Sequence, residues 1–210
     1  MIATFLALLS QFKDGQRWVL FFGDASDMTV LLKVDGFARV FEILFFGALL
    51  LAAIATVSRM PARKHRDDLP ISALIDNRRQ VDFHILLLMS GLGMAFVALA
   101  QDLFMLFLGL ELASLATYVL VAFHKESKAG TEAGVKYFIV GAVASAVGLY
   151  GMSLLYGLTG TLVISEMSTE VSRIGTPDLP LVLALILVVT GLLFKIGAVP
   201  FHMWVPDVYE

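Results

Sequence analysis

The sequence predicts an all-α, polytopic integral membrane protein that folds as a helix bundle. This prediction rests on the composition of the chain and on its long apolar runs. Of the 210 residues, 59% are hydrophobic and 16% are charged, whereas soluble domains usually carry about 25% charged residues. A helix needs roughly 20 consecutive apolar residues to cross a bilayer. Because several runs of this chain reach that length, the bilayer is its predicted environment.

The apolar segments follow one another along a single predicted membrane domain, residues 1–210. Residues 1–10 are half a span, and we interpret them as the end of a helix that begins earlier. The predicted full spans are 40–58, 83–100, 103–123, 134–156 and 181–199, followed by the start of a next segment at 200–210. The sequence therefore predicts about five full transmembrane helices and one partial helix.

Local signals refine these elements. The connection at Gln101 and Asp102 is so short that the helices before and after it must be antiparallel neighbours. Small residues at four-residue spacing, such as Gly141 and Ser145, predict close helix packing in the span 134–156. The last span is predicted to break near Gly197 and Pro200, because proline cannot continue a regular helix.

The basic residues of the loops predict an orientation, because cytoplasmic loops are enriched in Lys and Arg. Two loops, 59–82 and 124–133, hold Arg59, Arg63, Lys64, Arg66, Arg78, Arg79, Lys125 and Lys128. The opposite loops, 11–38 and 157–180, hold Lys13, Arg17, Lys33 and Arg173. The first two loops are therefore predicted to be cytoplasmic and the other two to face outward.

Charged residues also interrupt the predicted spans. Glu111 lies nine residues after Asp102, and at about 1.5 Å per residue this places it about 13 Å deep. A charge at the centre of a span costs about 3 kcal/mol on insertion scales, so such residues face the bundle interior and commonly mark ion or proton paths. No neighbour in sequence neutralises Glu111, which favours a functional role.

Three further candidates lie on the following spans. Lys195 comes just before the predicted break, and broken membrane helices commonly line ion sites. His202 follows the break, and an imidazole exchanges protons near neutral pH, although a lone histidine is more often a hydrogen-bonded wall residue. Lys136 is one turn inside its helix, so its side chain could instead extend to the interface.

Several classes of function are disfavoured. The sequence has no cysteine, which excludes disulfides, thiolate-ligated iron–sulfur clusters and cysteine-based zinc sites. The net charge of −3, without a basic stripe, gives no indication of nucleic-acid binding. Gly91 and Gly93 lie in an apolar run without the third glycine of a dinucleotide loop. We therefore expect no metal, no bound cofactor and no redox centre on this chain.

Three stretches resemble a known family: LFLGLELASLATYVLVAF, EAGVKYFIVGAVASAVGLYGMSLLYGLTGT and GLLFKIGAVPFHMWVPDVYE. They are similar to subunit N of bacterial NADH-quinone oxidoreductase (respiratory complex I), whose mitochondrial counterpart is NADH dehydrogenase subunit 2. Members are antiporter-like subunits of the proton-pumping arm, with about fourteen helices that include two inverted five-helix repeats. The resemblance implies that this chain is a fragment that lacks the N-terminal helices and the C-terminal half.

The resemblance also implies residue roles. Glu111 matches the family's buried helix-five glutamate, Lys136 its helix-six lysine, Lys195 the lysine of its broken helix seven, and His202 the histidine after the break. These four residues would take part in proton translocation, coupled to quinone reduction on other subunits. NADH and quinone would be used by the whole complex, an enzyme that this chain would serve as a subunit.

The same resemblance implies the partners and the location of the chain. Its partners would be other membrane-arm subunits of complex I and the lipid bilayer. It would cross the inner (plasma) membrane of a bacterium several times. Two alternatives remain. A cation/proton antiporter subunit, or a subunit of a membrane-bound energy-converting hydrogenase, would share the glutamate, the lysine and the break, although the ending WVPDVYE favours complex I. A scaffold without transport is disfavoured by two intramembrane charges.

Overall fold

Helices make up most of the part of the chain that the computed structural model describes, namely residues 19–22, 29–59, 71–124, 126–174 and 178–209. The elements in chain order are β1 (Val19–Phe22), β2 (Thr29–Lys33), α1 (Gly36–Arg59), α2 (Ile71–Leu99), α3 (Leu103–Val121), α4 (Lys128–Thr159), α5 (Ile164–Ile174), α6 (Leu179–Lys195) and α7 (Val205–Tyr209). The predicted residues 1–10, the segment 60–70 of the first basic loop, and Lys125 lie outside the described residues.

Four of the described helices are long and apolar enough to cross a membrane, with spans at Gly36–Thr56, Arg79–Leu99, Leu103–Val121 and Lys128–Thr159. Helix α6 is equally apolar but has only 17 residues. The predicted all-α membrane class is therefore confirmed. Several element limits differ from the prediction. Helices α1, α2 and α4 begin at Gly36, Ile71 and Lys128, each inside a predicted loop, and α6 ends at Lys195 rather than at residue 199.

Helices α2 and α3 form the antiparallel hairpin that the short connection predicted. Asp102 is the N-cap of α3, and its carboxylate accepts hydrogen bonds from the backbone N–H groups of Phe104 at 2.8 Å and Met105 at 3.1 Å. Two glycines let the helix backbones touch, since a Cβ added at Gly109 would lie 2.9 Å from the carbonyl oxygen of Gly93. Such close approach is typical of small residues in membrane helix pairs.

Helices α4 and α6 pack equally closely. A Cβ added at Gly191 would lie 2.9 Å from the Cα atom of Gly148, and one added at Gly151 would lie 2.6 Å from the backbone nitrogen of Val188. Gly148 and Gly151 lie in the span 134–156, where small residues predicted close helix packing. Beside this contact lies a buried apolar cluster of Met152, Leu155, Met167, Leu181, Ala184 and Val188.

The segments between helices meet at the two ends of the bundle. At one end, backbone hydrogen bonds join Gln101 N–H to Leu31 at 2.9 Å, Leu103 N–H to Leu162 at 2.9 Å, and Ile164 N–H to Gln101 at 3.1 Å. The short antiparallel hairpin β1–β2 and the amphipathic helix α5, neither of which was predicted, belong to the segments that meet there. At the other end, Arg79 forms an ion pair with Glu126.

Candidate functional site

Helix α6 ends at Lys195 because of a glycine. Gly197 has a φ of +63°, in the left-handed region that glycine enters without strain. Its N–H donates to the carbonyl of Phe194 at 3.0 Å, and the N–H of Ala198 donates to that of Leu193 at 2.9 Å. These two bonds form a Schellman motif, which satisfies the last carbonyls and turns the chain out of the helix. The predicted break therefore begins at Gly197.

The end of α6 lies well inside the bundle. Gly191 of α6 contacts Gly148 of α4, so Lys195, one turn later, lies at the level of Ser145. Helix α4 has 32 residues, and Ser145 is near its middle, about 25 Å along the axis from Lys128. Irregular backbone at such a depth occurs in membrane proteins only where protein or a water-filled cavity surrounds it.

The Lys195 ammonium and the Glu111 carboxylate form an ion pair at this level. Lys195 Nζ donates to Glu111 Oε1 at 2.7 Å and to Ser114 Oγ at 2.8 Å. Ser145 Oγ donates to the same Glu111 oxygen at 2.6 Å, and Ser114 Oγ donates to the carbonyl of Leu110 at 2.7 Å. The side chains of Lys195 and Glu111 are 13% and 22% exposed. The structure thus brings together two of the four predicted residues, from α3 and α6.

The helix end and the distance between the two charges set the electrostatics of the pair. Lys195 is in the last turn of α6, where the negative end of the helix dipole stabilises a cation. Two unit charges at about 4 Å attract each other by roughly 4 kcal/mol at an effective dielectric constant of about 20, and by half that at twice the distance. The electrostatic energy of this site therefore changes steeply with the separation of two side chains on different helices.

A small cavity lies beside the pair. It has a volume of about 20 Å³, and Ser145 and Lys195 line it together with apolar residues that include Phe107, Met152 and Val188. A cavity needs about 10–15 Å³ to hold one water molecule, which also needs polar partners. The space has room for one water, but its lining is almost entirely apolar, so the cavity offers a water few polar partners.

Lys136 lies elsewhere. Its Nζ contacts Glu132 Oε1 at 2.8 Å and Asp207 Oδ2 at 2.9 Å, and its side chain is 49% exposed. It precedes Ser145 by nine residues on α4, about 13 Å along the axis. The structure does not join it to the buried pair, and its position fits the interfacial alternative for this lysine. Its partner Asp207, on α7, was not singled out from the sequence.

His202 is exposed in the turns between α6 and α7, and none of the hydrogen bonds among the described residues joins its ring to Lys195 or Glu111. A neighbour anchors this segment instead. Trp204 is buried against Phe194, and its ring stacks on that of Tyr137 with centroids 4.3 Å apart. The irregular segment after the break is thus held against α4 by aromatic packing.

Sequence reasoning missed the two serines of the site. Ser114 follows Glu111 by three residues, so both lie on one face of α3, and that spacing was the available signal. Ser145 was interpreted only as a packing residue. Arg39 and Glu42, both buried on α1, were also missed, although a charged pair three residues apart at the start of a span is visible in the sequence. Within the described ranges, no group of three metal-ligating side chains occurs.

Comparison with known proteins points to one family. Residues 100–210 match the family described as "NADH:quinone oxidoreductase/Mrp antiporter, TM". The chain is 44% identical over 176 residues to NADH-quinone oxidoreductase subunit N 2 of Rhizobium meliloti (strain 1021), which covers 84% of this chain and 34% of the relative. It spans about a third of the length of such relatives.

Solved structures share the fold. A chain of respiratory complex I from Thermus thermophilus with bound aureothin is 33% identical, with a TM-score of 0.68, over 99% of this chain and 39% of that one. A chain of the Mrp complex from Dietzia sp. DQ12-45-1b is 23% identical, with a TM-score of 0.70, over 99% and 36%, a likeness of fold alone. The resemblance predicted from the motifs is confirmed: the chain belongs to the NADH:quinone oxidoreductase/Mrp antiporter family of transmembrane proteins.

Proposed function

We propose that this chain is part of the proton-translocating membrane arm of an NADH:quinone oxidoreductase, and that Lys195 and Glu111 handle the transported proton. The observation that carries the proposal is the ion pair of 2.7 Å at the inner end of a broken helix. Burying two charges in a membrane span is costly, and a scaffold would gain nothing from them. The relatives named as subunit N support the choice of enzyme.

The proposed mechanism depends on the distance between Lys195 and Glu111. While Lys195 and Glu111 are in contact, each charge stabilises the other. When the subunits around the chain change conformation and move α6 relative to α3, the attraction weakens with distance, and Lys195 releases a proton to water in the bundle. Ser114 and Ser145, which hydrogen-bond to the pair, hold the two side chains in position while they are in contact.

In this proposal Lys136 and His202 act outside the buried pair. Lys136, with Glu132 and Asp207, gathers protons at the end of the bundle where α4 begins. His202, exposed beside the break, passes protons between water and the bundle. Both act before or after the buried pair, so their removal should slow transport without abolishing it.

The remaining features of the proposal follow from the family. The chain lies in the inner membrane of a bacterium among other complex I subunits, and the loops 59–82 and 124–133 face the cytoplasm. It binds no cofactor of its own, while NADH and quinone react elsewhere in the complex. The ion pair between Arg79 and Glu126 supports placing these two loops at the same end of the bundle.

The proposal is tested in the intact complex, in inverted membrane vesicles with a pH-sensitive dye. We expect Lys195→Ala and Glu111→Ala each to reduce quinone-coupled pumping more than tenfold, or by more than about 1.4 kcal/mol in the barrier, because each change removes one of the two groups that handle the proton. Glu111→Asp, which keeps a carboxylate, should do less harm. Lys128→Ala, at an exposed lysine of α4, is the matched control. Pumping at the wild-type rate by an assembled Lys195→Ala complex would refute the proposal.

A further inference from the structure

The hydroxyl group of Tyr118 is buried within a membrane span and has no part in the mechanism above. Tyr118, on α3, is 5% exposed, and its Oη makes no hydrogen bond to the residues that the structure describes. Buried hydroxyls are nearly always hydrogen-bonded, and a Phe at this position would have the same shape. The oxygen atom therefore needs an explanation beyond packing.

Tyr118 lies between the buried pair and the surface. Glu111, Ser114 and Tyr118 are spaced by three and then four residues, so they share one face of α3. Val121, three residues further on, lines an open cleft of about 470 Å³. Tyr118 is therefore about 10 Å from Glu111 along the helix axis and about 5 Å from the level of the cleft.

The cleft is polar at its mouth. Its lining includes Ser127, Glu132, Lys136 and Asp207, so it contains the two carboxylates that hold Lys136. Carboxylates at a surface can accept protons from water and pass them on. From the surface inward, these groups lie in the order acidic cleft, Tyr118, Ser114, and the pair of Glu111 and Lys195.

The position of the Tyr118 hydroxyl is fixed by its neighbours on α4. A Cβ atom at Gly141 would overlap the Tyr118 hydroxyl oxygen, so only glycine at position 141 leaves room for this oxygen. The ring of Tyr137 packs edge-on against that of Tyr118, with centroids 4.5 Å apart. One glycine and one aromatic ring thus hold the hydroxyl in a single place between α3 and α4.

We propose that Tyr118 is a proton relay between the cleft at Lys136 and the pair of Lys195 and Glu111, and that Gly141 makes room for its hydroxyl. The oxygen accepts one proton from water on the cleft side and releases its own toward Ser114 and the pair. The phenol is unchanged after each transfer, and one proton moves inward. This inference rests on the proposed function and names the path by which the proton reaches the pair.

The test is Tyr118→Phe in the intact complex, because this change removes one oxygen atom and keeps the ring that packs on Tyr137. We expect proton pumping about fivefold slower, corresponding to about 1 kcal/mol in the barrier, with normal assembly. The solvent deuterium isotope effect on pumping should rise, because proton delivery becomes limiting. Tyr150→Phe removes the same atom from an exposed tyrosine of α4 and is the matched control.

A second variant tests the geometry. Gly141→Ala should displace the hydroxyl and slow pumping at least as much as Tyr118→Phe. If Tyr118→Phe pumps at the wild-type rate, or slows pumping with an unchanged isotope effect, the relay is refuted. That result leaves the proposed function intact as long as Lys195→Ala still abolishes pumping, whereas normal pumping by Lys195→Ala would refute the proposed function itself.

Discussion

Two lysines of this chain hold carboxylates at nearly the same distance in opposite surroundings. Lys195 contacts Glu111 at 2.7 Å with 13% of its side chain exposed, and Lys136 contacts Asp207 at 2.9 Å with 49% exposed. Exposed pairs contribute about 0–1 kcal/mol because water competes for both charges, whereas each charge of a buried pair depends on its partner. Under the proposed function, the same kind of contact therefore handles the transported proton in one place and only gathers protons in the other.

Removal of both charges of the buried pair should have the largest effect. The double variant Lys195→Met, Glu111→Leu should abolish pumping while the complex assembles and is as thermally stable as the wild type. Replacing a buried ion pair with apolar residues of similar volume is often neutral or stabilising by about 1–4 kcal/mol. Pumping in vesicles and the melting temperature of the purified complex are the two measurements.

This double variant separates transport from folding. If the complex fails to assemble, the pair has an architectural role that the mechanism above does not include. If it assembles and pumps, proton transfer does not use these two side chains, and the contrast between the buried and the exposed lysine has no functional meaning.

The exposed pair should respond more weakly. We expect Lys136→Ala to slow pumping about threefold, and Asp207→Asn to have a smaller effect because Glu132 still contacts the lysine. The difference between wild type and Lys136→Ala should shrink at high salt, since ions screen exposed charges. Pumping measured at two ionic strengths checks this, and an effect as large as that of Lys195→Ala would contradict it.

The smallest expected effect is that of His202→Ala. The imidazole is exposed, and water can replace it as a proton carrier, so pumping should fall by less than about twofold. The matched comparison is Trp204→Ala, which removes the buried ring beside Phe194 and should destabilise the segment after the break by about 3–5 kcal/mol. A severe loss of pumping in His202→Ala, with normal assembly, would move the histidine into the main proton path.

The long periodic features of this fold could be predicted from the sequence, and the contacts between distant residues could not. Apolar runs and the Gly197–Pro200 signal are local, so the spans and the break were accessible. Glu111 and Lys195 are 84 positions apart, and no local pattern of the sequence indicates that they meet. The hairpin β1–β2 was missed because a two-stranded element of this length has little periodicity.

Charge alone gave an incomplete guide to the site. The sequence singled out Lys136, Lys195 and His202 because charged or titratable groups are conspicuous in apolar surroundings, but only the structure separates the buried lysine from the exposed one. Conversely, the hydroxyls of Ser114 and Ser145 were inconspicuous, since serine is common at helix contacts in membranes. Their role depends on where α3, α4 and α6 meet, which no local pattern specifies.

The glycine contact between α4 and α6 makes the latter a lever. Gly191 touches Gly148 and Gly151 touches Val188 backbone to backbone, with no side chain between the helices to yield under load, so this one turn of α6 is a natural fulcrum. From Gly191 the helix extends about 18 Å back to Leu179 and about 6 Å forward to Lys195. A sideways push of about 3 Å on the long arm therefore swings the lysine about 1 Å the opposite way, so a distant, coarse movement becomes a small, graded one at the charge.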